Sequence, residues 1–295
     1  MEKVLVVGLG EVGKPLYELI KESGKFEVYG HDIDPRKVPQ YQREIPQHID
    51  IMHICYPCND REEFAKTTIG YMRRFLPELT IINSTVAPGT TKLIFEMSGM
   101  RVVHSPVRGI HKNMKKDLLF WTKYIGAFDE ESARKAAEHF EKVGIKTKIL
   151  TSPVETELAK LFETTYRALM IAWFQEMHRI CRFFNASFIE VIDMLEDVHK
   201  VRFDRPVFYP GVIGGHCLIP NASLLLKTYN SKFVEAILES NRKRKHEVRD
   251  PSVAREIEEI KNRVKRLEME ISRYPYKELS LIHISEPTRP LYISY

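Results

Sequence analysis

The sequence predicts two domains, the first α/β with a doubly wound parallel sheet and the second all-helical. Three observations carry that prediction. Short apolar runs alternate with amphipathic stretches over about the first 150 residues, which is the pattern of strands joined by crossover helices. A glycine-rich turn, Gly8-Leu9-Gly10-Glu11-Val12-Gly13, follows the first run directly. From Pro153 to about Phe184 there is then no glycine and no further proline, and apolar residues step at helical spacing.

Taken in order, residues 3–8 (KVLVVG) are a β-branched run read as a buried strand, and Leu16, Leu19 and Ile20 mark the helix after the glycines. Residues 26–30 form a second strand ending at His31-Asp32, and apolar runs at 49–55, 80–82, 101–104, 123–125 and 146–150 continue the alternation. The segment 153–184 carries Leu158, Leu161, Phe162, Thr165, Leu169, Ala172 and Glu176. At 1.5 Å per residue it spans roughly 45 Å, too long for a crossover helix, and is taken as the spine of the second domain. Helices are expected at 187–196 and 222–245, separated by the Pro/Gly-rich loop 206–220. The expected division is therefore 1–152, 153–245, a charged amphipathic helix at 246–278, and a tail at 279–295.

In the charged helix Val253, Ile257, Ile260, Val264, Leu267 and Ile271 alternate steps of four and three. Fewer than three heptads are short for an independent coiled coil, so the helix is expected to dock on its own chain or on a dimer mate. The cluster Arg242 to Lys245 lacks interleaved aromatics and is read as a solvated helix end, not a nucleic-acid surface. The segment LSLIHISEPTR (279–289) matches no periodicity of the preceding chain. It resembles the conceptual translation of a sequencing adapter, so 279–295 is set aside from fold reasoning.

Composition narrows the class. The chain has 295 residues, 43% hydrophobic and 29% charged, which excludes disordered and low-complexity classes. No run of about 18 apolar residues is present, and the N-terminal apolar run is interrupted by glycines and a lysine, so neither a membrane span nor a signal peptide is expected. Four cysteines in such a chain do not make a disulfide framework, and a reducing cytoplasm is expected. The net charge of +5 is mild and gathers around the charged helix.

The glycine turn has the context of a Rossmann-type dinucleotide site. A strand precedes it, a helix follows, and Asp32 stands nineteen residues beyond Gly13. Gly8 permits the tight turn, Gly10 lets the backbone approach a pyrophosphate, and Gly13 lets helix and strand pack closely. Asp32 accepts bonds from ribose hydroxyls and repels a 2′-phosphate, which favours NAD over NADP. Cys55-Tyr56-Pro57-Cys58 is a CxxC after a strand, but no second pair completes a zinc set. It is read as loop packing near the cofactor, with Tyr56 and Pro57 in contact with it, and no metal is expected. Ser84 and Thr85, in Asn83-Ser84-Thr85-Val86-Ala87-Pro88-Gly89-Thr90, sit at a strand end, where hydroxyls serve the crevice or cap a helix equally well. In Gly211-Val212-Ile213-Gly214-Gly215-His216-Cys217 the glycines would let a ligand approach the backbone beside an accessible thiol. From spacing alone Cys217 is as compatible with a buried structural cysteine.

Together these motifs resemble the UDP-glucose/GDP-mannose dehydrogenase family, of the 6-phosphogluconate dehydrogenase-like superfamily. The correspondences are GxGxVGxPL (Gly8 to Leu16), a CVPTP-like strand end (Cys55 to Asn59), STVxPGTT (Ser84 to Thr91), ExELxK (Glu155 to Lys160) and a GxGGHC-like loop one residue longer here (Gly211 to Cys217), in order over about residues 1–240. The resemblance implies an NAD-dependent oxidation of the C6 alcohol of a nucleotide sugar to a carboxylate. It implies Cys217 as the nucleophile that captures the aldehyde, Lys160 as the oxyanion stabiliser, and the long helix as a dimerisation helix, hence a homodimer. Gly214, Gly215 and His216 would contact substrate.

The departures from the family pattern concentrate at the site. Thr164 stands where an asparagine is expected, Asn221 where an aspartate is expected, and Val107 where a glutamate is expected. A neutral Asn221 can orient a water but cannot take its proton. Arg108, His111 and Lys112 offer cationic groups that would hold a phosphate or carboxylate, or simply face solvent. After about residue 245 the chain runs into the charged helix instead of the family's third domain, so a short two-domain variant is expected. Two other readings stand beside the nucleotide-sugar oxidoreductase: a single-step hydroxyacid dehydrogenase using Lys160 without a covalent intermediate, and a non-catalytic NAD-binding interaction protein.

Overall fold

In the computed structural model, which describes residues 1–40, 44–109, 113–202, 204–215 and 217–271, the apolar runs of the first 150 residues are strands of one sheet. They are β1 (Glu2–Val7), β2 (Phe26–His31), β3 (Ile51–Ile54), β4 (Leu79–Ile82), β5 (Val102–His104), β6 (Lys123–Gly126) and β7 (Thr147–Leu150). Between them lie α1 (Gly13–Glu22), α2 (Arg61–Phe75), α3 (Thr90–Ser98), α4 (Met114–Phe120) and α5 (Glu130–Lys142). The order across the sheet is β2-β1-β3-β4-β5-β6-β7. Neighbours are parallel except that β6 runs antiparallel to β5, meeting it at His104 and Gly126. The doubly wound α/β class is thus as the sequence predicts, with the last two strands, β6 and β7, reversed relative to the other five. Side chains of β1 explain the near-continuous apolar runs: Val4 and Val6 enter one core cluster, Leu5 and Val7 the other, so both faces are covered.

Local chemistry sets the helix boundaries. Asp60 caps α2 by accepting from the Glu63 N–H at 2.9 Å, and Asp129 caps α5 by accepting from the Ser132 N–H at 2.7 Å. α6 (Pro153–Phe183) starts on its proline and runs 31 residues, matching the predicted spine. It is followed by α7 (Phe188–Arg202), α8 (Leu218–Thr228), α9 (Lys232–Glu247) and α10 (Pro251–Ile271). The single helix predicted at 222–245 is two helices, because Tyr229 leaves α8 in an extended conformation (φ −144°) and Ser231 Oγ accepts from Val234 N–H to start α9.

The chain divides into two compact units, one of residues 1–166 with 216–234, the other of 167–215 with 235 onward. The first turns of α6 and all of α8 therefore belong with the sheet. Among the described residues no helix is long and apolar enough to cross a membrane.

The first unit has a seam of buried polar groups beneath the C-terminal ends of its strands. Asn83 Nδ2 donates to His53 Nδ1 at 3.1 Å, which leaves His53 Nε2 as donor toward His139 Nε2 at 2.9 Å. His104 Nε2 donates to the Ser84 carbonyl at 3.1 Å, and Nδ1 accepts from the Thr156 hydroxyl at 2.7 Å. Burial holds all three histidines neutral: His53 lies well below its ordinary value, and His104 and His139 are pushed down to about 3. Lys123 donates its ammonium to the Ser105 carbonyl and is lowered by burial to about 7.

In the second unit the amphipathic stripe of α10 meets its own chain. Ile260, Val264 and Leu267 pack with Phe174 of α6, Phe188 and Ile192 of α7, and Val207. Ion pairs flank the seam: Arg263 reaches Glu196 and Asp193 on α7, and Arg182 reaches Glu256 at 2.7 Å. The reading of Arg242 to Lys245 as a solvated helix end is corrected at Arg244, whose side chain is fully buried. Its guanidinium donates to the Gln175 carbonyl at 2.8 Å and to His178 Nδ1 at 3.1 Å, and pairs with Glu247 at 3.1 Å. Helical periodicity explains the difference, since 240 and 244 lie one turn apart on the face of α9 that meets α6, where Ser240 bonds Gln175 at 2.7 Å. The segment 279–295 lies outside the described residues.

The buried histidines predict an acid-sensitive first unit. Their folded pKa values lie below the unfolded value near 6.5, so below that pH the unfolded chain binds more protons and stability falls as pH drops. Each histidine contributes a slope of up to ~1.4 kcal/mol per pH unit between about 6.5 and its folded pKa. Urea midpoints should fall steadily from pH 7 to pH 5; a flat profile would contradict the neutral, desolvated assignment.

Candidate active site

The geometry of the glycine turn follows from what a side chain would strike. A Cβ on Gly13 would lie 1.8 Å from the Gly8 carbonyl oxygen, so only glycine lets α1 pack this closely on β1. Gly8 adopts φ +90°, and a Cβ there would come within 2.8 Å of Tyr56 N on the loop after β3. A Cβ on Gly10 would meet nothing within 4 Å, so the turn presents open backbone at that position. The first turn of α1 carries no side-chain cap; Lys14 N–H donates to the Gly10 carbonyl at 3.1 Å, Leu16 N–H to the Val12 carbonyl at 3.3 Å, and Pro15 has no N–H, so what the turn offers an anion is mainly the helix dipole.

Asp32 completes the cradle. Its carboxylate accepts from Leu9 N–H at 2.7 Å and Asp34 N–H at 2.8 Å, which holds the glycine turn against the end of β2. Lys37 approaches it at 4.0 Å. Leu9 is buried in the core and Val12 packs partly against it, while Gly10 and Glu11 are exposed. A cavity of about 370 Å³ opens here, lined by Gly8, Gly10, Asp32, Tyr56, Pro57 and Tyr71 among others. It lies where the strand order reverses between β1 and β3, the crevice position of doubly wound sheets. Open backbone at Gly10, an uncapped helix start and a fixed carboxylate fit a dinucleotide.

Behind the cavity the β3 and β4 loops are tied together. Tyr56 OH bonds Thr68 Oγ1 at 2.7 Å, and Ser84 Oγ donates to the Tyr56 carbonyl at 2.6 Å. Ser84 is buried and braces the loop that lines the cavity; Thr85 beside it is half-buried. Burial pushes the Cys55 thiol up to about 12 and Cys58 up to about 11. Both stay protonated at neutral pH, as a packing role requires. Among the described residues no cluster of three or more metal-type ligands occurs.

The helix-cap role at 83–90 falls to a residue the sequence reading did not single out. Glu157 on α6 is buried and accepts from Gly89 N–H at 2.6 Å, Thr91 N–H at 2.9 Å and Thr91 Oγ1 at 2.6 Å. This carboxylate caps α3 from another element and fixes the first turns of α6 to the sheet. Burial raises its pKa, against the lowering effect of those hydrogen bonds. The signal available was its place three residues before Lys160 in the ExELxK stretch.

Three residues on from that anchor, Lys160 is largely covered, with Nζ 3.3 Å from Glu163. One turn further, Thr164 Oγ1 donates to the α6 carbonyls of Lys160 and Leu161 at 3.2 and 3.0 Å and accepts from Asn221 Nδ2 at 3.2 Å. Asn221 N–H in turn bonds the Cys217 carbonyl at 2.9 Å, and Cys217 is the N-cap residue of α8. Lys160 and Thr164 are thus one turn apart on α6, Cys217 and Asn221 one turn apart on α8, and the Thr164–Asn221 bond joins the two helices inside the first unit. A half-buried thiol at a helix N-terminus faces the positive end of its dipole.

Within the second unit the glycine loop is pinned by two buried amides. Gln175 donates to the Gly211 carbonyl at 2.7 Å, and Asn241 brackets Ile213 by accepting its N–H at 2.8 Å and donating to its carbonyl at 3.0 Å. Gly214 and Gly215 follow, the latter at φ +80°. No motif marked Gln175 or Asn241 in advance. His111, Lys112 and His216 lie outside the described residues. Arg108 donates to the Thr122 carbonyl at 2.8 Å and sits 5.0 and 5.1 Å from the ring centres of Trp121 and Tyr124. Val107 packs partly against the core, with its N–H on the Asn83 carbonyl at 3.3 Å.

Residues 154–243 match the central domain of the UDP-glucose/GDP-mannose dehydrogenase family. The UDP-N-acetyl-D-mannosamine dehydrogenase of Methanocaldococcus jannaschii is 27% identical over 282 residues, covering 81% of this chain and 65% of that protein. The protein of the same name from Methanococcus maripaludis is 28% identical over 283 residues, covering 82% and 65%. The chain therefore spans just under two thirds of the length of these curated relatives. Among solved structures, the UDP-N-acetyl-mannosamine dehydrogenase of Staphylococcus aureus superposes with a TM-score of 0.69 at 23% identity, over 85% of this chain and 70% of that one. The 3-hydroxyisobutyrate dehydrogenase of Mycobacterium tuberculosis shares the fold at a TM-score of 0.64 and 17% identity, over 88% of this chain and 99% of that one. With its cofactor-type cradle, its ordered motifs and this central domain, the chain is similar to the UDP-glucose/GDP-mannose dehydrogenase family.

Proposed function

We propose that the chain is an NAD-dependent oxidoreductase acting on the CH–OH group of a nucleotide-linked sugar, with a UDP-linked N-acetylhexosamine as the substrate class. The observation that carries this reading is the Thr164–Asn221 hydrogen bond, which gathers Cys217, Asn221, Lys160 and Thr164 in the same unit as the dinucleotide cradle. The names of the curated relatives support the substrate class.

Gly8, Gly10, Gly13 and the α1 N-terminus would hold the diphosphate of NAD, and Asp32 its adenosine ribose. When bound, NAD supplies the hydride acceptor. Lys160 offers positive charge to an oxygen that gains negative charge as the carbonyl is attacked. Cys217, at the N-terminus of α8, supplies the thiol that adds to an aldehyde carbon. Asn221 and Thr164 orient polar groups by hydrogen bonding and exchange no proton as acid or base.

We also propose a homodimer formed along α6. Phe162, Tyr166, Trp173, Ile180 and Phe183 are exposed on this one helix, an apolar and aromatic row that water does not favour. Light scattering should give twice the chain mass, and Trp173→Glu with Ile180→Glu should shift it to the monomer. A monomeric parent chain would remove this assignment.

Two further tests follow from the site. Purified protein with NAD should form NADH from UDP-N-acetylhexosamines, and Cys217→Ser should reduce turnover on the order of 10³-fold or more while NAD binding persists. Turnover that survives in Cys217→Ser would instead favour a single-step hydroxyacid-type oxidation. Gly10→Ala should fold with an unchanged melting temperature yet lose NAD affinity, because its Cβ enters only the ligand's space. Gly13→Ala should fold poorly, because its Cβ strikes backbone. Equal melting temperatures for the two variants would refute this division of roles.

A further inference from the structure

We propose that Glu63 makes the cleft selective for adenine by accepting a hydrogen bond from the 6-amino group of the base. This rests on the reading of the cavity as the site of a dinucleotide whose adenosine ribose meets Asp32. Beyond Asp32 the cavity continues between the end of β2 and one face of α2. Glu63, Thr67 and Tyr71 line it from α2 at steps of four, a strip roughly 12 Å long at 1.5 Å per residue. At the far end of the strip the Tyr71 ring lies 5.2 Å from His31 and 6.1 Å from Tyr56 between centres, which closes the floor. From the β2 side Ile33, next to Asp32, lines the same cavity. It is 91% exposed, more than any other large apolar side chain among the described residues. A flat base laid on it would remove apolar surface of both partners from water.

The edge of a base is read by polar groups, and those of the cavity differ in what they have left to give. Asp32 accepts from two backbone N–H groups, and Asp60 is engaged as the cap of α2. Lys37 lies 4.0 Å from Asp32, on the ribose side. The Glu63 side chain has no hydrogen-bond or ion-pair partner among the described residues. A carboxylate only accepts, and the 6-amino group is the one hydrogen-bond donor on the adenine ring of a nucleotide. Hypoxanthine carries an oxygen at that position, whose lone pairs would face those of Glu63. The Thr67 and Tyr71 hydroxyls and the Asn59 amide both donate and accept, so they serve the two bases alike. Glu63 is therefore the group in this cavity whose chemistry separates an amino group from a carbonyl oxygen.

The experiment measures by calorimetry the dissociation constants of the full chain for NAD and for nicotinamide hypoxanthine dinucleotide, with no sugar present. NAD should bind about tenfold or more tightly than the hypoxanthine form. Glu63→Gln, checked for an unchanged melting temperature, should bring the two constants together by strengthening the hypoxanthine form, because a carboxamide both donates and accepts. Glu63→Ala should bring them together by weakening NAD. Ile33→Ser should weaken both dinucleotides by a common factor and leave their ratio alone. Equal constants in the parent chain, or a preference for NAD that survives Glu63→Gln, would overturn the proposal while leaving the dinucleotide cradle intact. Binding of neither dinucleotide would instead overturn the cradle reading, and the assignment of Glu63 with it.

Discussion

The buried carboxylate of Glu157 is the constraint on which the site depends. Three short hydrogen bonds from Gly89 and Thr91 hold it at the N-terminus of α3, where the helix dipole favours a negative charge. A buried carboxylate without such partners would cost several kcal/mol. With them, the first turns of α6 have one place to sit on the sheet. Lys160 and Thr164 follow at helical spacing, and Thr164 accepts the bond that closes α8 and sets Asn221 and Cys217. One cap therefore positions four side chains that are up to about 60 residues apart in the chain.

Polar groups buried for positioning recur through the fold. The first unit keeps His53, His104 and His139 neutral beneath the strand ends, with the Asn83 amide setting the tautomer of His53, the Ser84 carbonyl that of His104, and the His53 ring facing His139. The second unit buries Arg244 against Gln175, His178 and Glu247, and bonds from Gln175 and Asn241 fix the glycine loop. Buried networks of this kind favour one arrangement, because a displacement breaks hydrogen bonds that water cannot replace. They also make the fold sensitive to protonation in a way an apolar core is not.

Much of the architecture was legible from pattern. The GxGxxG turn with Asp32, the alternation of strands and helices, and the 31-residue α6 are local signals, and each was read from spacing and residue type. The stripe on α10 was legible as an apolar face, though not which surface it would meet. The reversal of β6 and β7, the break between α8 and α9, and the burial of Arg244 were not legible. The first and last depend on neighbours distant in sequence, the β5 pairing at His104 and Gly126 and the α6 face carrying Gln175 and His178, whereas the helix break is set locally at Tyr229 and Ser231. Glu157 read as one of two acids at a helix start, and nothing in its spacing marked it as the cap of α3.

By itself the sequence determined the fold class, the dinucleotide-type turn, and the chemical identities at the site, including the replacement of expected acids by Val107 and Asn221. Those follow from period, glycine sterics and side-chain chemistry, which act over a few residues. Tertiary structure alone decided that Asn221 bonds Thr164, that Glu157 is fully occupied elsewhere, and that Val107 turns into the core. These are pairings between distant segments, and their outcome depends on which buried polar group finds which partner once water is excluded.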